Sequence, residues 1–242
     1  MARVIGNLSL LGFVDGFTAT CIIISAVLFG LISFYHSRKL KAKLLAIAGL
    51  TMIFTGLFWL GPATDFFMVI LTGNNIAPEY LYGWISYMWI APAVVVAFYL
   101  GAELMVPNKK KIITGIYAIL GVVFEIFLWA MPIGTNGVFV FNPHGEGDLI
   151  DSGFNRLNPA FWLIAFFLLS VFVFLIIGMA IKAKQTTGDL RKKFLLIFFA
   201  YTIFFVCGIA DSLFMPGLYL GIWRGVMVTY PILMYFGLKT KS

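Results

Sequence analysis

Long apolar stretches recur down the chain, each nearly free of charge; "ATCIIISAVLFGLISFY" (19–35) and "FWLIAFFLLSVFVFLIIGMAI" (161–181) are two of them. In hydrocarbon a backbone N–H or C=O has no water to bond, so a spanning segment of this kind must satisfy its own polar groups as an α-helix. Of the 242 residues, 62% are apolar and 11% charged, where a water-soluble domain carries about 25% charged residues. The expected fold is an all-α integral membrane protein, a single transmembrane domain over 1–242 with no room for a separate soluble domain.

Hydropathy and its breaks place seven helices at about 8–36, 43–72, 79–106, 111–132, 158–183, 193–215 and 217–238. The opening "MARVIGNLSLLGFVDGFTATCIIISAVLFG" has one early Arg3 and no small-residue cleavage site, so it reads as the first span and not as a removed signal peptide. Lys and Arg fall in short clusters after helices 1, 3, 5 and 7: Arg38 to Lys43, Lys109 to Lys111, Lys182 to Lys193, and Lys239 with Lys241. Cytoplasmic loops carry this excess, so the N-terminus is expected outside, the C-terminus inside, and the location a cell membrane crossed several times. The net charge of +7 is thereby assigned to topology; nucleic acid is not an expected partner, and the lipid bilayer is.

An external loop at 133–157 carries Glu146, Asp148 and Asp151 against Arg156. Its "GVFVF" run, flanked by Gly and Asn, predicts a short hairpin over the helix ends, a lid or a simple connector. Helices 3 and 7 also echo one another: Trp84 precedes Pro92, and Trp223 precedes Pro231, by eight residues in each case. Two three-helix halves joined by helix 4 would make a parallel 3+1+3 repeat.

Charges within spans are costly and mark functional sites by default. Asp15, Asp65, Glu125, Asp211 and Arg224 all fall in the outer part of their helices, whereas Glu103 sits near the Lys109 cluster and is expected to pair with it or face water. Counted from the Pro216-Gly217 turn, Asp211 and Arg224 lie roughly 8 and 11 Å deep on antiparallel neighbours, close enough to meet. Such a pair either pins helix 6 to helix 7 or forms part of a site. Asp65, Glu125 and Asp15 would then be unpaired acids at the same level, which suggests a water-accessible, acidic vestibule opening outward. Asp15, near a helix start, is expected to be simply exposed at the interface.

Aromatic residues crowd the same level: Trp59, Tyr80, Tyr82, Trp84, Tyr87, Trp89, Trp129, Trp162, Tyr219 and Trp223. Tyr80, Tyr82, Trp162 and Tyr219 fit a headgroup belt, while Trp84, Tyr87 and Trp89 are spaced so that at least one points into the bundle. The candidate ligand-binding set is therefore Asp65, Trp84, Tyr87, Glu125, Asp211, Trp223 and Arg224. Pro62, Pro92 and Pro231 each remove a backbone hydrogen bond and are candidate hinges.

Lysines fall only at the ends of the spans and none within their apolar interior, so the chain has no nucleophile for a retinal Schiff base, and no cofactor is expected. The two histidines, His36 and His144, lie at a helix end and in the loop, so neither a metal site nor a Ser-His or Cys-His pair can be built within the bundle. Cys21 and Cys207 read as small hydrophobes. HExxH, GxSxG and phosphate-binding glycine loops are absent, and an enzyme is not expected.

The segment "WIAPAVVVAFYLGAELMVPNKKKIITGIYAILGVVFEIFLW" (89–129) resembles part of the seven-helix sensor modules found at the N-termini of prokaryotic histidine kinases and diguanylate cyclases. The shared pattern is a mid-helix Pro, an aliphatic-aromatic run, a basic loop and a further apolar helix. The resemblance implies a sensor that passes a signal inward. No kinase, cyclase or coiled-coil output is expected beyond "YFGLKTKS", so a separate cytoplasmic or membrane partner protein is implied. The 3+1+3 plan is also similar to that of small sugar facilitators. The expected function is a membrane sensor or ligand-binding module for an unidentified small ligand; the alternatives are an accessory subunit of a membrane complex and a small-solute facilitator.

Overall fold

The computed structural model describes residues 3–5, 8–213 and 217–239. Among these, six helical rods are long and apolar enough to cross a membrane: Leu10–Leu40, Lys43–Thr72, Tyr80–Met105, Pro107–Ala130, Pro159–Gln185 and Gly188–Ser212. The protein is a predominantly helical, multi-pass membrane protein. The first rod is the single helix α1 (Leu10–Leu40). The second comprises α2 (Lys43–Gly56) and α3 (Leu60–Thr72), and the third α4 (Tyr80–Tyr87) and α5 (Ile90–Met105). The fourth is formed by α6 (Lys110–Ala130). The fifth runs from α7 (Pro159–Ser170) through a π-helical stretch, Val171–Ile177, into α8 (Gly178–Gln185), and the sixth is α9 (Gly188–Leu213).

The last expected helix is not continuous. It consists of α10 (Leu220–Met227) and α11 (Tyr230–Leu238), separated by a turn at Val228–Thr229. Pro216, in the turn expected before this helix, lies outside the described residues.

Each candidate hinge proline sits just after a break. The 3-10 turn Leu57–Trp59 precedes Pro62, the turn at Met88–Trp89 precedes Pro92, and the turn at Val228–Thr229 precedes Pro231. Proline offers no N–H to the carbonyl four residues back, and its ring crowds that carbonyl, so the helix tightens or opens there. In the last rod the carbonyl of Val228 accepts a hydrogen bond from Ser25 Oγ at 2.8 Å, so a group at the break is satisfied by a neighbouring rod. The third and last rods repeat one another locally, each an eight-residue helix, a short break and a second helix opening on a proline.

In lipid the hydrophobic effect gives little drive to helix pairing, so close backbone approach matters more than bulk. The first rod follows this rule. Its buried residues include Gly12, Gly16, Ala19, Ala26, Gly30 and Ser33, while Phe17, Ile24, Leu28, Leu31 and Tyr35 face outward. A Cβ on Gly16 would come within 2.2 Å of the Phe66 ring, so only glycine lets α1 lie this close to α3. Two rods are capped at their N-terminal ends by a side chain. Ser9 Oγ accepts from the N–H of Gly12 at 2.9 Å, and Asn158 Oδ1 from that of Ala160 at 2.9 Å.

One end of the bundle carries the long loop. There β3 (Phe139–Asn142) pairs antiparallel with β4 (Asp151–Phe154), while at the N-terminus β1 (Arg3–Ile5) pairs with β2 (Leu8–Ser9). The hairpin predicted at "GVFVF" is therefore present, and the N-terminal one was not expected. The long loop is packed, not loose: Val138, Phe139, Leu149 and Ile150 are buried, and Phe139 lies against the face of Gly83. The opposite, basic end collects the α1–α2 link and the ends of α5, α9 and α11 around one cavity.

Candidate functional site

Asp15 lies in the second turn of α1, Asp211 near the end of α9, Arg224 in the middle of α10, and Trp59 in the turn between α2 and α3. These four meet. Arg224 Nε donates to Asp211 Oδ1 at 2.8 Å, and Arg224 Nη1 donates to the main-chain oxygen of Asp15 at 3.0 Å as well as pairing with its Oδ1. Trp59 Nε1 donates to Asp211 Oδ2 at 3.1 Å. The cluster holds two carboxylates to one guanidinium. The side chains of Arg224, Asp15 and Asp211 are 7%, 10% and 14% exposed, so Asp211 is the most accessible member.

The geometry overturns the expectation for Asp15. It is buried and bound to Arg224, not exposed at the interface, because α1 packs directly against α10 and Arg224 reaches across that contact. Trp59 was assigned only to the aromatic crowd. Its indole N–H, a donor with no water to serve it, requires an acceptor, and that requirement was the readable signal.

Asp65 also departs from expectation. It is fully buried and does not line an open vestibule. Its Oδ1 accepts from the N–H of Ile76 at 2.7 Å, and its Oδ2 from Asn75 Nδ2 and from the N–H of Ile150, each at 2.9 Å. Asn75 Nδ2 also reaches the carbonyl of Asp148 at 3.0 Å, the N–H of Ser9 donates to the carbonyl of Gly147 at 2.9 Å, and Ser9 Oγ bonds the Asp148 carboxylate. A carboxylate surrounded by donors in this way is a structural staple. Asp65 ties the 73–79 loop and the long loop to the top of α3.

The remaining candidates lie elsewhere. Glu125 is half-buried on α6, bonded by Trp129 Nε1 one turn along at 2.8 Å, beside a groove also lined by Ala91, Pro92 and Gly121. Because this face of α6 meets α5 and not the first or last rod, Glu125 does not join the other acids. Trp84 donates from Nε1 to the carbonyl of Leu128 at 2.8 Å and packs on Tyr80 and Trp129. Tyr87 sits under the hairpin, with ring centroids 4.5 Å from Phe154 and 5.7 Å from Phe139. Trp223 packs near the charge cluster, against the group formed by Ala19, Ala63, Cys207 and Met227. Tyr82, assigned to the belt, is buried instead, in a small cluster with Ile76 and Ile150. Glu103 pairs with Lys110 at 2.5 Å, as its position suggested.

The seven candidate residues therefore divide among the charge cluster (Asp211, Arg224, with Trp223 adjacent), the loop staple (Asp65), the hairpin seat (Trp84, Tyr87) and the edge of the α5–α6 contact (Glu125). Among the described residues no group of three His, Cys, Asp or Glu side chains is placed to hold a metal ion. No protein-family model, curated protein or solved structure matches this chain.

Proposed function

We propose that the chain is a seven-span protein of the cell membrane, N-terminus outside and C-terminus inside, that serves as a sensor or ligand-binding module and acts through a separate partner protein. The alternation of basic clusters with the acidic loop supports the topology. The observation that carries the functional reading is the Asp15–Arg224–Asp211–Trp59 cluster, which joins the first, second, sixth and last rods beneath the loop end. Two acids facing one guanidinium leave an excess of acceptors. A ligand offering a cationic or hydrogen-bond-donating group would compete with Arg224 for Asp211, the most accessible of the three.

The broken last rod supplies a route inward. Arg224 lies on one side of the turn at Val228–Thr229; beyond it Tyr230 Oη lies 3.4 Å from Thr55 Oγ1, and Tyr235 Oη lies 3.0 Å from His36 Nδ1 near the basic end. A shift of α10 against α1 is thus mechanically connected to α11. Such coupling requires a ligand with differential affinity for the two arrangements.

The test is thermal unfolding of the detergent-purified protein against a panel of small cations and amines, beside Asp211→Asn. A ligand that binds the folded state raises its stability by mass action. A shift in the parent protein that disappears in a folded Asp211→Asn variant supports the sensor reading. A panel without effect on the parent protein, with Asp211→Asn only destabilised, makes the cluster architectural.

The outward groove beside Glu125 favours a second reading, an accessory subunit. Its small residue Ala118, beside the place where Ala91 and Gly121 pack on each other, would let a partner helix approach closely. Co-purification of a stoichiometric partner, lost on Ala118→Leu, tests it. A small-solute facilitator is disfavoured because Asp15, Asp65 and Arg224 are closed off within the protein.

A further inference from the structure

The basic end of the bundle holds a cavity of about 510 Å³. Its floor is apolar, formed by Leu44, Leu104, Phe194, Ile197 and Leu238, and its rim carries Lys41, Lys43 and Lys193. No carboxylate lines it, and among the described residues none of the three lysines is in an ion pair. By contrast, Lys110 in the neighbouring basic loop is neutralised by Glu103. Lys41 and Lys43 come from one basic run at the α1–α2 junction, but Lys193 comes from α9, far away in sequence, so the local run alone does not account for the convergence of all three on one cavity. Lys41 adopts the left-handed backbone, φ 52°, that lets α2 start immediately beside the rim.

We propose that this cavity binds an anionic phospholipid, its phosphate held among Lys41, Lys43 and Lys193 and the upper part of its chains lying on the apolar floor. Uncompensated positive charge above an apolar cavity complements an amphiphile with an anionic head, and it does so at the end where the basic loops meet the membrane surface. A soluble phosphate compound would use the lysines and leave the floor empty; a zwitterionic lipid would use the floor and gain little from the lysines. The proposal does not rest on the sensor reading, since it concerns the opposite end of the bundle.

The experiment is thermal unfolding of the full chain in detergent micelles doped with dioleoyl-phosphatidylglycerol, with dioleoyl-phosphatidylcholine, or with sn-glycerol 3-phosphate alone. Phosphatidylglycerol is expected to raise the midpoint by about 3 °C, the other two by much less. Each lysine changed to glutamine is expected to weaken the affinity about fivefold, so Lys41→Gln/Lys43→Gln/Lys193→Gln abolishes the shift. Lys109→Gln/Lys111→Gln, at a basic loop outside the cavity, keeps it. Equal shifts from the two lipids, or a phosphatidylglycerol shift that survives in the triple variant, overturn the proposal. An equal shift from glycerol phosphate overturns the lipid as occupant. Should the triple variant not fold, Lys193→Gln and the floor-filling Leu104→Trp replace it, and retention of the full shift by both is the overturning result.

Discussion

Arg224 Nε lies 2.8 Å from Asp211 Oδ1, and the same guanidinium also grips Asp15 on the first rod, so one cation fastens rods from the two ends of the chain. Removing it leaves two buried carboxylates facing each other. Arg224→Met is expected to cost about 3–5 kcal/mol, because the destabilisation comes from the stranded charges more than from the lost attraction. The triple replacement Asp15→Asn/Asp211→Asn/Arg224→Met should recover most of that loss. Chemical unfolding in mixed micelles compares them, and a single variant no less stable than the triple would show that the cluster is not energetically coupled.

Asp65 accepts three hydrogen bonds from two different loops. Asp65→Ala strands the main-chain N–H groups of Ile76 and Ile150, at a cost of about 2–4 kcal/mol. Amide hydrogen exchange at those two positions should accelerate well before the bundle opens. Protection that stays at the parental level would refute the staple.

Gly16 is expected to tolerate no side chain while Phe66 is present. Gly16→Ala should destabilise by about 1–3 kcal/mol through overpacking. In a double-mutant cycle with Phe66→Ala, part of that cost should vanish, since the ring that the new methyl strikes is gone. Strict additivity would mean that α1 and α3 are not in this contact.

Glu125 is half-buried at the edge of the α5–α6 contact, away from the charge cluster, and bonds only within its own helix. Glu125→Gln is therefore expected to change stability by less than about 0.5 kcal/mol and to leave any ligand response of the Asp211 cluster intact. A loss of that response in Glu125→Gln would place Glu125 functionally with the other acids, against its position in the fold.

Ser25 bonds the Val228 carbonyl exposed by the break before Pro231. Ser25→Ala is expected to cost about 1 kcal/mol, read as a lower unfolding midpoint with unchanged helicity. An unchanged midpoint would mean that the break satisfies its own carbonyl.

Much of this protein is written locally. The rods follow from runs of apolar residues, since a helix is how a lone segment satisfies its backbone in lipid. Their breaks follow from Pro62, Pro92 and Pro231, and the Asp211–Arg224 pair from the spacing of two charges around a turn. The hairpin at Phe139–Asn142 was legible for the same reason, in a short alternating run between Gly and Asn. These are properties of neighbours in sequence, and neighbours in sequence are bound to be neighbours in space.

The partners of Asp15 and Asp65, and the side of the bundle on which Glu125 lies, were not legible in this way. Each depends on how its helix is rotated about its own axis, and in lipid a large apolar side chain suits the outside of a bundle as well as the inside. The sequence by itself determined that acids and aromatics share one end of the helices. Only the tertiary structure decided that Asp15 turns inward to Arg224, that Asp65 is enclosed by two loops, and that Glu125 turns away, because small residues such as Gly16 set which faces meet. The same packing brought Lys41, Lys43 and Lys193 to one cavity, from positions that the chain keeps some 150 residues apart.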